Sequence, residues 1–228
     1  MNISIIMRMR TIIGILIITF LGSAYPASAQ VTDALKWEES VSKFEKHDKE
    51  TPAPQGANLF TGSSSITIWD MTDYFPEYKV LNRGFGGSQF SDLLYYVDRV
   101  VIPYKPAKVF IYEGDNDIAA GEDPKAILKE AKKIRKIIAR KLRGVPVVFI
   151  SIKPSIARKK FKTQCEALNA GLKKYAKRAR HTEYVDVWSP MLDETGNVYA
   201  HVFREDGLHM NDAGYKIWQT VLKPYLAK

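Results

Sequence analysis

Short strand-like runs alternate with amphipathic helical stretches along this chain, and that alternation restricts its fold more than any other feature. Apolar runs at 58–61, 79–82, 108–112, 145–152 and 183–187 are strand length. Between them, apolar residues recur at helical spacing over 90–100, 124–143 and 160–179, and a last such stretch covers 211–222. Parallel strands need a long return connection, so this order predicts βαβ units. Five of them predict one α/β domain, a three-layer α/β/α sandwich around a doubly wound, five-stranded parallel sheet. Ahead of it, Leu35, Trp37, Val41 and Phe44 fall at near-helical spacing until "TPAPQG" breaks the pattern. Residues 30–57 are therefore expected to pack, as a helix and loop, on a domain spanning 58–228. No internal repeat or low-complexity tract interrupts this organisation.

The N-terminus reads as a secretory signal peptide over residues 1–29. Arg8 and Arg10 form a basic start, 12–22 is an apolar run, and Ala27-Ser28-Ala29 is a small-x-small cleavage pattern. The apolar run is shorter than the ~20 residues that span a bilayer, which opposes a membrane anchor. No cysteine follows it, which opposes a lipid anchor. Export, to the periplasm or beyond the cell, is expected after cleavage near Ala29. The leader carries two arginines and no acid, so its loss lowers the formal charge from +9 to +7. The 199 residues left can build a sizeable core. Cys165 is the single cysteine, so no internal disulfide forms; its helical spacing from Leu168 and Leu172 reads as a buried thiol.

Two stretches are strongly basic. Residues 125–143 hold nine Lys/Arg against Glu130, and 153–180 hold ten against Glu166. Ile134, Ile137, Ile138 and Leu142 fit the buried side of a helix whose lysines face water. A weak contact of these helices with anionic envelope surfaces is a secondary expectation. Nucleic-acid binding is not expected, because no recognition motif accompanies the charge.

In doubly wound sheets, ligands bind in the loops beyond the carboxyl ends of the strands. Those loops hold the unusual residues: "GSSS" at 62–65, "NRGFGGSQ" at 82–89, "EGDND" at 113–117 and "REDGLHMND" at 204–212. Acyl transfer requires a nucleophile, a base, a group that orients the base, and donors for an oxyanion. Ser64, between a strand and a helix, is the candidate nucleophile. His209 is the candidate base, and Asp206, three residues earlier, can reach its Nδ1. Gly87 can offer a backbone N–H without a Cβ in the way, and Asn116 a neutral amide donor.

Each of these has a plainer reading. Ser64 alone is a turn or N-cap serine, the glycines alone make a flexible connection, and "GDND" and Asp206-Gly207 alone are ordinary turns. Their coincidence on one sheet edge favours a site. A flavodoxin-like, FMN-binding protein would use "TGSSSIT" as a phosphate loop, yet would leave Gly87, Asn116, Asp206 and His209 unused. A P-loop is excluded, since no G-x-x-x-x-G-K-[ST] occurs. The G-x-S-x-G elbow fails because Ile66 replaces its last glycine. His47, His181, His201 and His209 are scattered, so no metal and no cofactor is expected.

"FTGSSS", "NRGFGG", "GDND" and "DGLH" resemble, in order and spacing, the four signature blocks of the SGNH (GDSL-type) hydrolase family. The resemblance implies the flavodoxin-like sandwich of SGNH hydrolases. It also implies Ser64 as nucleophile, Ser64 N–H, Gly87 and Asn116 as the oxyanion hole, and Asp206 with His209 completing a triad. The first block departs from the pattern: Ser63 stands where aspartate is usual and Ser65 where leucine is. Ser63 and Ser65 thus remain secondary candidates for the nucleophile. A non-catalytic binding module on the same fold is the alternative from another class.

The resulting expectation is a monomeric serine esterase acting on short-chain O-acyl or O-acetyl esters of a carbohydrate, or else on lysophospholipid-type lipids. Trp69 and Arg204 are candidate substrate-binding residues, because they flank the serine and histidine loops.

Overall fold

The computed structural model describes residues 34–228; the expected signal peptide and its cleavage site at Ala29 lie outside the described residues. Five strands form one parallel sheet: β1 (Asn58–Gly62), β2 (Val80–Gly84), β3 (Lys108–Tyr112), β4 (Val147–Ile150) and β5 (Thr182–Val185). Their order is β2-β1-β3-β4-β5, the doubly wound arrangement expected from the alternation. In chain order the helices are α1 (Glu38–Glu50), α2 (Ser64–Thr67), α3 (Met71–Tyr74), α4 (Phe90–Val100), α5 (Asp115–Ala119), α6 (Pro124–Lys141), α7 (Lys162–Ala176) and α8 (Asp212–Leu222).

Side chains alternate across a strand, so each strand feeds two cores. Leu59, Val109, Ile111, Val147 and Phe149 enter one, under α1, α4, α6 and α7. Phe60, Phe110, Tyr112, Val148 and Ile150 enter the other, under α2, α3 and α8. Both cores are closed to water, each large aliphatic or aromatic side chain contributing about 1.5–3 kcal/mol of burial. Helix α6 shows how the sequence selects a face. Ile127, Ala131, Ile134 and Ile138 are buried at spacings of four and three, while its lysines line the outside.

Element boundaries differ from the sequence reading mainly where a backbone donor is missing. The run at 145–152 shortens to β4 because Pro146 has no N–H, and Val145 donates backwards to the Leu142 carbonyl in a turn. Ahead of β1, Ala34 and Val41 are buried in the first core. Arg99 ties α1 to α4 through Glu38 (2.7 Å) and Glu45 (2.6 Å). Among the described residues, no helix is long and apolar enough to cross a membrane.

The chain leaves β1 toward β2 on one side and returns as β3 on the other, which opens a crevice beyond their carboxyl ends. Gly62 lets that crevice exist. Its φ is +133°, and a Cβ there would lie 2.0 Å from the Tyr112 carbonyl oxygen on β3.

Candidate active site

Ser64 is the first residue of α2, directly after Gly62 and Ser63. The short helix is held from several sides. Ile66 and Thr67 donate to the Ser63 carbonyl, and Ser63 N–H donates to Tyr112 O (3.1 Å). Asn82 donates from Nδ2 to Ile66 O (2.7 Å), and Tyr215 donates its hydroxyl proton to Ser65 O (2.9 Å). Gly84 lets β2 come close, since a Cβ there would lie 2.7 Å from Thr67 N. Ser63 and Ser65 are buried, and only Ser64 of the three is partly open. The aspartate usual at position 63 is therefore not needed to order this turn, which backbone bonds and close packing already fix.

His209 sits just ahead of α8, on a hairpin pinned by two backbone bonds, Arg204 N–H to His209 O (2.8 Å) and Gly207 N–H to Arg204 O (2.9 Å). Its Nε2 lies 2.9 Å from Ser64 Oγ and its Nδ1 2.6 Å from Asp206 Oδ2. Asp206 Oδ1 also accepts from Leu208 N–H and His209 N–H, both at 2.9 Å. The bond to His209 and these backbone donors hold its carboxyl well below the usual range. Ile156 and Ala157 donate to Gly207 O (3.0 and 3.1 Å), which locks the histidine hairpin to the segment after β4.

The glycine-rich loop lies against the serine loop, where a Cβ on Gly86 would fall 3.7 Å from Ser64 Cβ. Ser64 N–H and Gly87 N–H find no acceptor among the described residues. Gly87 has φ +84°, and Trp37 covers it so closely that a Cβ would fall 3.0 Å from the ring. Asn116 donates one amide proton to Ser88 O (2.9 Å), which leaves the second for a ligand. Ser88 also donates its hydroxyl proton to Glu113 (2.5 Å), joining the second loop to the third. Burial raises the Glu113 carboxyl well above its ordinary range.

Arg158 is the site-bordering residue that sequence reasoning missed. It donates to Asn116 Oδ1 (2.9 Å), to Asp115 Oδ1 (3.0 Å) and to the Asp115 carbonyl. Lys153, buried, approaches the other Asp115 oxygen at 3.6 Å. In the sequence Arg158 is one of ten cations between 153 and 180, with no spacing to distinguish it. Beside it lies a hollow of about 210 Å³ walled in part by Pro154, Ile156, Trp188, Leu192 and Val198.

Of the two expected substrate-binding residues, Trp69 is corrected. Trp69 is 2% exposed, packed in the second core against Phe60, Tyr215 and Trp218, so it offers no wall to an open pocket. Arg204 is exposed and donates from Nε to Met210 O (3.2 Å), bracing the histidine hairpin.

Among the described residues, a group of carboxylates gathers. Asp117, Glu122 and Glu130 place one oxygen each within 4.8 Å of the others. Such hard oxygen donors suit calcium or magnesium. The group lies outside the Ser64–His209–Asp206 series, and its members are too far apart in sequence to form a motif. Burial pushes Asp117 up to about 8 and Glu130 to about 7.

A doubly wound sandwich with a hydroxyl, an imidazole and a carboxylate bonded in series at its switch point is a hydrolase architecture. The chain belongs to the GDSL-like lipase/acylhydrolase family, whose model matches residues 69–217. That stretch contains the second, third and fourth loops; the atypical serine block lies just ahead of it. No curated protein sequence matches the chain significantly.

Solved structures share the fold. One, provisionally described as a platelet activating factor from Streptococcus pneumonia, is 24% identical with a TM-score of 0.75, over 88% of this chain and 98% of that one. A GDSL-like lipase from Bacteroides thetaiotaomicron is 22% identical with a TM-score of 0.70, over 81% and 96%. An acetyl-xylooligosaccharide esterase from Geobacillus is 19% identical with a TM-score of 0.58, over 75% and 94%.

Proposed function

We propose that this chain is an exported carboxylic ester hydrolase with Ser64 as its nucleophile. The observation that carries the reading is the unbroken series Asp206–His209–Ser64, with contacts of 2.6 and 2.9 Å. His209 takes the Ser64 proton on Nε2 as Oγ attacks the acyl carbonyl. Asp206 keeps the other proton on Nδ1 and stabilises the imidazolium that forms. The carbonyl oxygen becomes negative against Ser64 N–H, Gly87 N–H and the free Asn116 amide proton. His209 then protonates the departing alcohol, and the acyl group stays on Ser64. A water, deprotonated by His209, attacks this acyl-enzyme and releases the acid. The cycle uses no cofactor. A phosphate loop would need backbone donors but no imidazole on the serine hydroxyl, so the 2.9 Å contact favours hydrolysis over FMN binding. The leader-like residues 1–29 support export.

Short O-acyl or O-acetyl esters of a carbohydrate are the proposed substrates. One neighbour of the same fold is an acetyl-xylooligosaccharide esterase, which supports this reading. A panel of p-nitrophenyl esters of rising chain length, run on the wild type and on Ser64→Ala, tests both statements. Hydrolysis is expected to be strongest on acetate and abolished in Ser64→Ala. Activity kept in Ser64→Ala but lost in Ser63→Ala would move the nucleophile. Preference for long chains would favour a lipid acylhydrolase. A folded protein inert on every ester would be a binding module.

A further inference from the structure

At the opposite edge of the sheet, ahead of β4 and β5, a concavity of about 640 Å³ opens between α6 and α7. Its charged lining is Lys132, Arg135, Lys136, Arg143 and Arg180, with His181 beside them, and no carboxylate is in it. None of these five cations has an ion-pair partner among the described residues, although acids pair with Arg83, Arg99, Lys108 and Lys141 elsewhere.

Arg135 is the telling member. It is 5% exposed, yet its hydrogen-bond partners among the described residues are neutral: Nε donates to Thr182 Oγ1 (2.8 Å) and one Nη to Arg180 O (2.7 Å). The other Nη is buried without an acceptor among the described residues. A buried charge is ordinarily paired, because leaving water costs several kcal/mol that a counter-ion offsets. Burial here pulls the guanidinium below its usual range, with Tyr175 and no carboxylate opposing it. The two bonds Arg135 does make clamp the 180–182 turn onto α6 and set Arg180 at the wall. A concavity of one sign also focuses its field outward, toward an anion.

We propose that this concavity is a binding site for a multiply charged phosphate group, with Arg135 as a fixed charge in its floor. Lys132, Lys136, Arg143 and Arg180 make the direct contacts. Guanidinium forks match pairs of phosphate oxygens, and five cations on one surface suit a multiply charged group better than a lone carboxylate. The site is separate from the Ser64 crevice, so it anchors or regulates the protein without taking part in ester cleavage. Two sources carry this chemistry: a free phosphate compound, or the headgroups of an anionic lipid surface.

Calorimetric titration with inorganic pyrophosphate, and sedimentation with phosphatidylglycerol or phosphatidylcholine vesicles, test the site. The variants are Arg143→Gln/Arg180→Gln, inside the concavity, and Lys125→Gln/Lys129→Gln, equal in charge but on the exposed start of α6. Removing the two arginines should weaken binding about tenfold or more, while the two-lysine variant should bind as the wild type does. Binding of pyrophosphate identifies a free phosphate ligand. Binding confined to phosphatidylglycerol vesicles, and lost with the two arginines, identifies a lipid surface. Equal weakening in both variants, or no binding to either probe, overturns the proposal. Hydrolysis of p-nitrophenyl acetate should be unchanged in all variants, which separates this result from any failure of the esterase reading.

Discussion

Arg158 donates to Asn116 Oδ1 at 2.9 Å, and that bond determines which end of the amide is left to serve the Ser64 crevice. With the oxygen taken by Arg158 and one N–H by Ser88, the remaining N–H is the group free to meet an oxyanion. In the proposed mechanism Asn116 is thus set from both sides before a substrate arrives, as electrostatic preorganisation requires.

Replacing Arg158 with alanine should therefore lower kcat by about 10- to 100-fold with little change in KM, since the donor lost acts on the transition state. Arg158→Lys should recover only part of this, because one ammonium cannot span Asp115 and Asn116 together. Steady-state kinetics of Arg158→Ala, Asn116→Ala and the double variant provide the check. The double variant should be scarcely worse than Asn116→Ala; fully additive losses would show that Arg158 does not act through Asn116.

Asp206→Asn should keep the fold and lose turnover. The side chain is 46% exposed, so little packing depends on it. An asparagine amide facing Nδ1, however, favours the imidazole tautomer with its proton on Nε2, where the serine needs an acceptor. A fall in kcat on the order of 10²–10⁴ is expected, with only a small fall in melting temperature. Retention of wild-type kcat would remove Asp206 from the triad.

Two glycines with positive φ should respond differently to alanine. Gly62→Ala puts a methyl 2.0 Å from Tyr112 O, where two central strands would have to part. It should cost about 3 kcal/mol or more. Gly121→Ala meets nothing within 4 Å, and its φ of +92° alone should cost about 1–3 kcal/mol. Urea unfolding of the two variants gives the comparison directly.

The carboxylates behind Asn116 set a pH dependence of stability. Their folded pKa values lie above those of the unfolded chain, so the folded state binds more protons between the two values. Their contribution is fully present below about pH 4 and is lost as pH rises, through about 7 for Glu130 and about 8 for Asp117. Asp117→Asn keeps an acceptor for Phe90 N–H, which now reaches Asp117 Oδ1 at 2.8 Å, and should flatten this slope. Unfolding free energies at pH 5 and pH 8 measure it. A slope that survives in Asp117→Asn would assign it to other groups.

By itself the sequence determined the strand and helix order, because period-2 and period-3.6 apolar patterns leave few ways to hide their faces. It likewise placed Ser64, Gly87, Asn116, Asp206 and His209 on one edge, since the loops after parallel strands must emerge together. Tertiary structure decided what local pattern could not reach. Trp69 follows the serine block as a pocket wall would, but the aromatic cluster under α8 claims it. Arg158 and Asn116 are 42 residues apart and meet only once β3 and β4 lie side by side. The uncompensated Arg135 is equally silent in a run of lysines, because a missing counter-ion is a property of three-dimensional neighbours and not of chain spacing. Motif spacing records which groups are available; packing decides which of them are buried, paired or left facing a ligand.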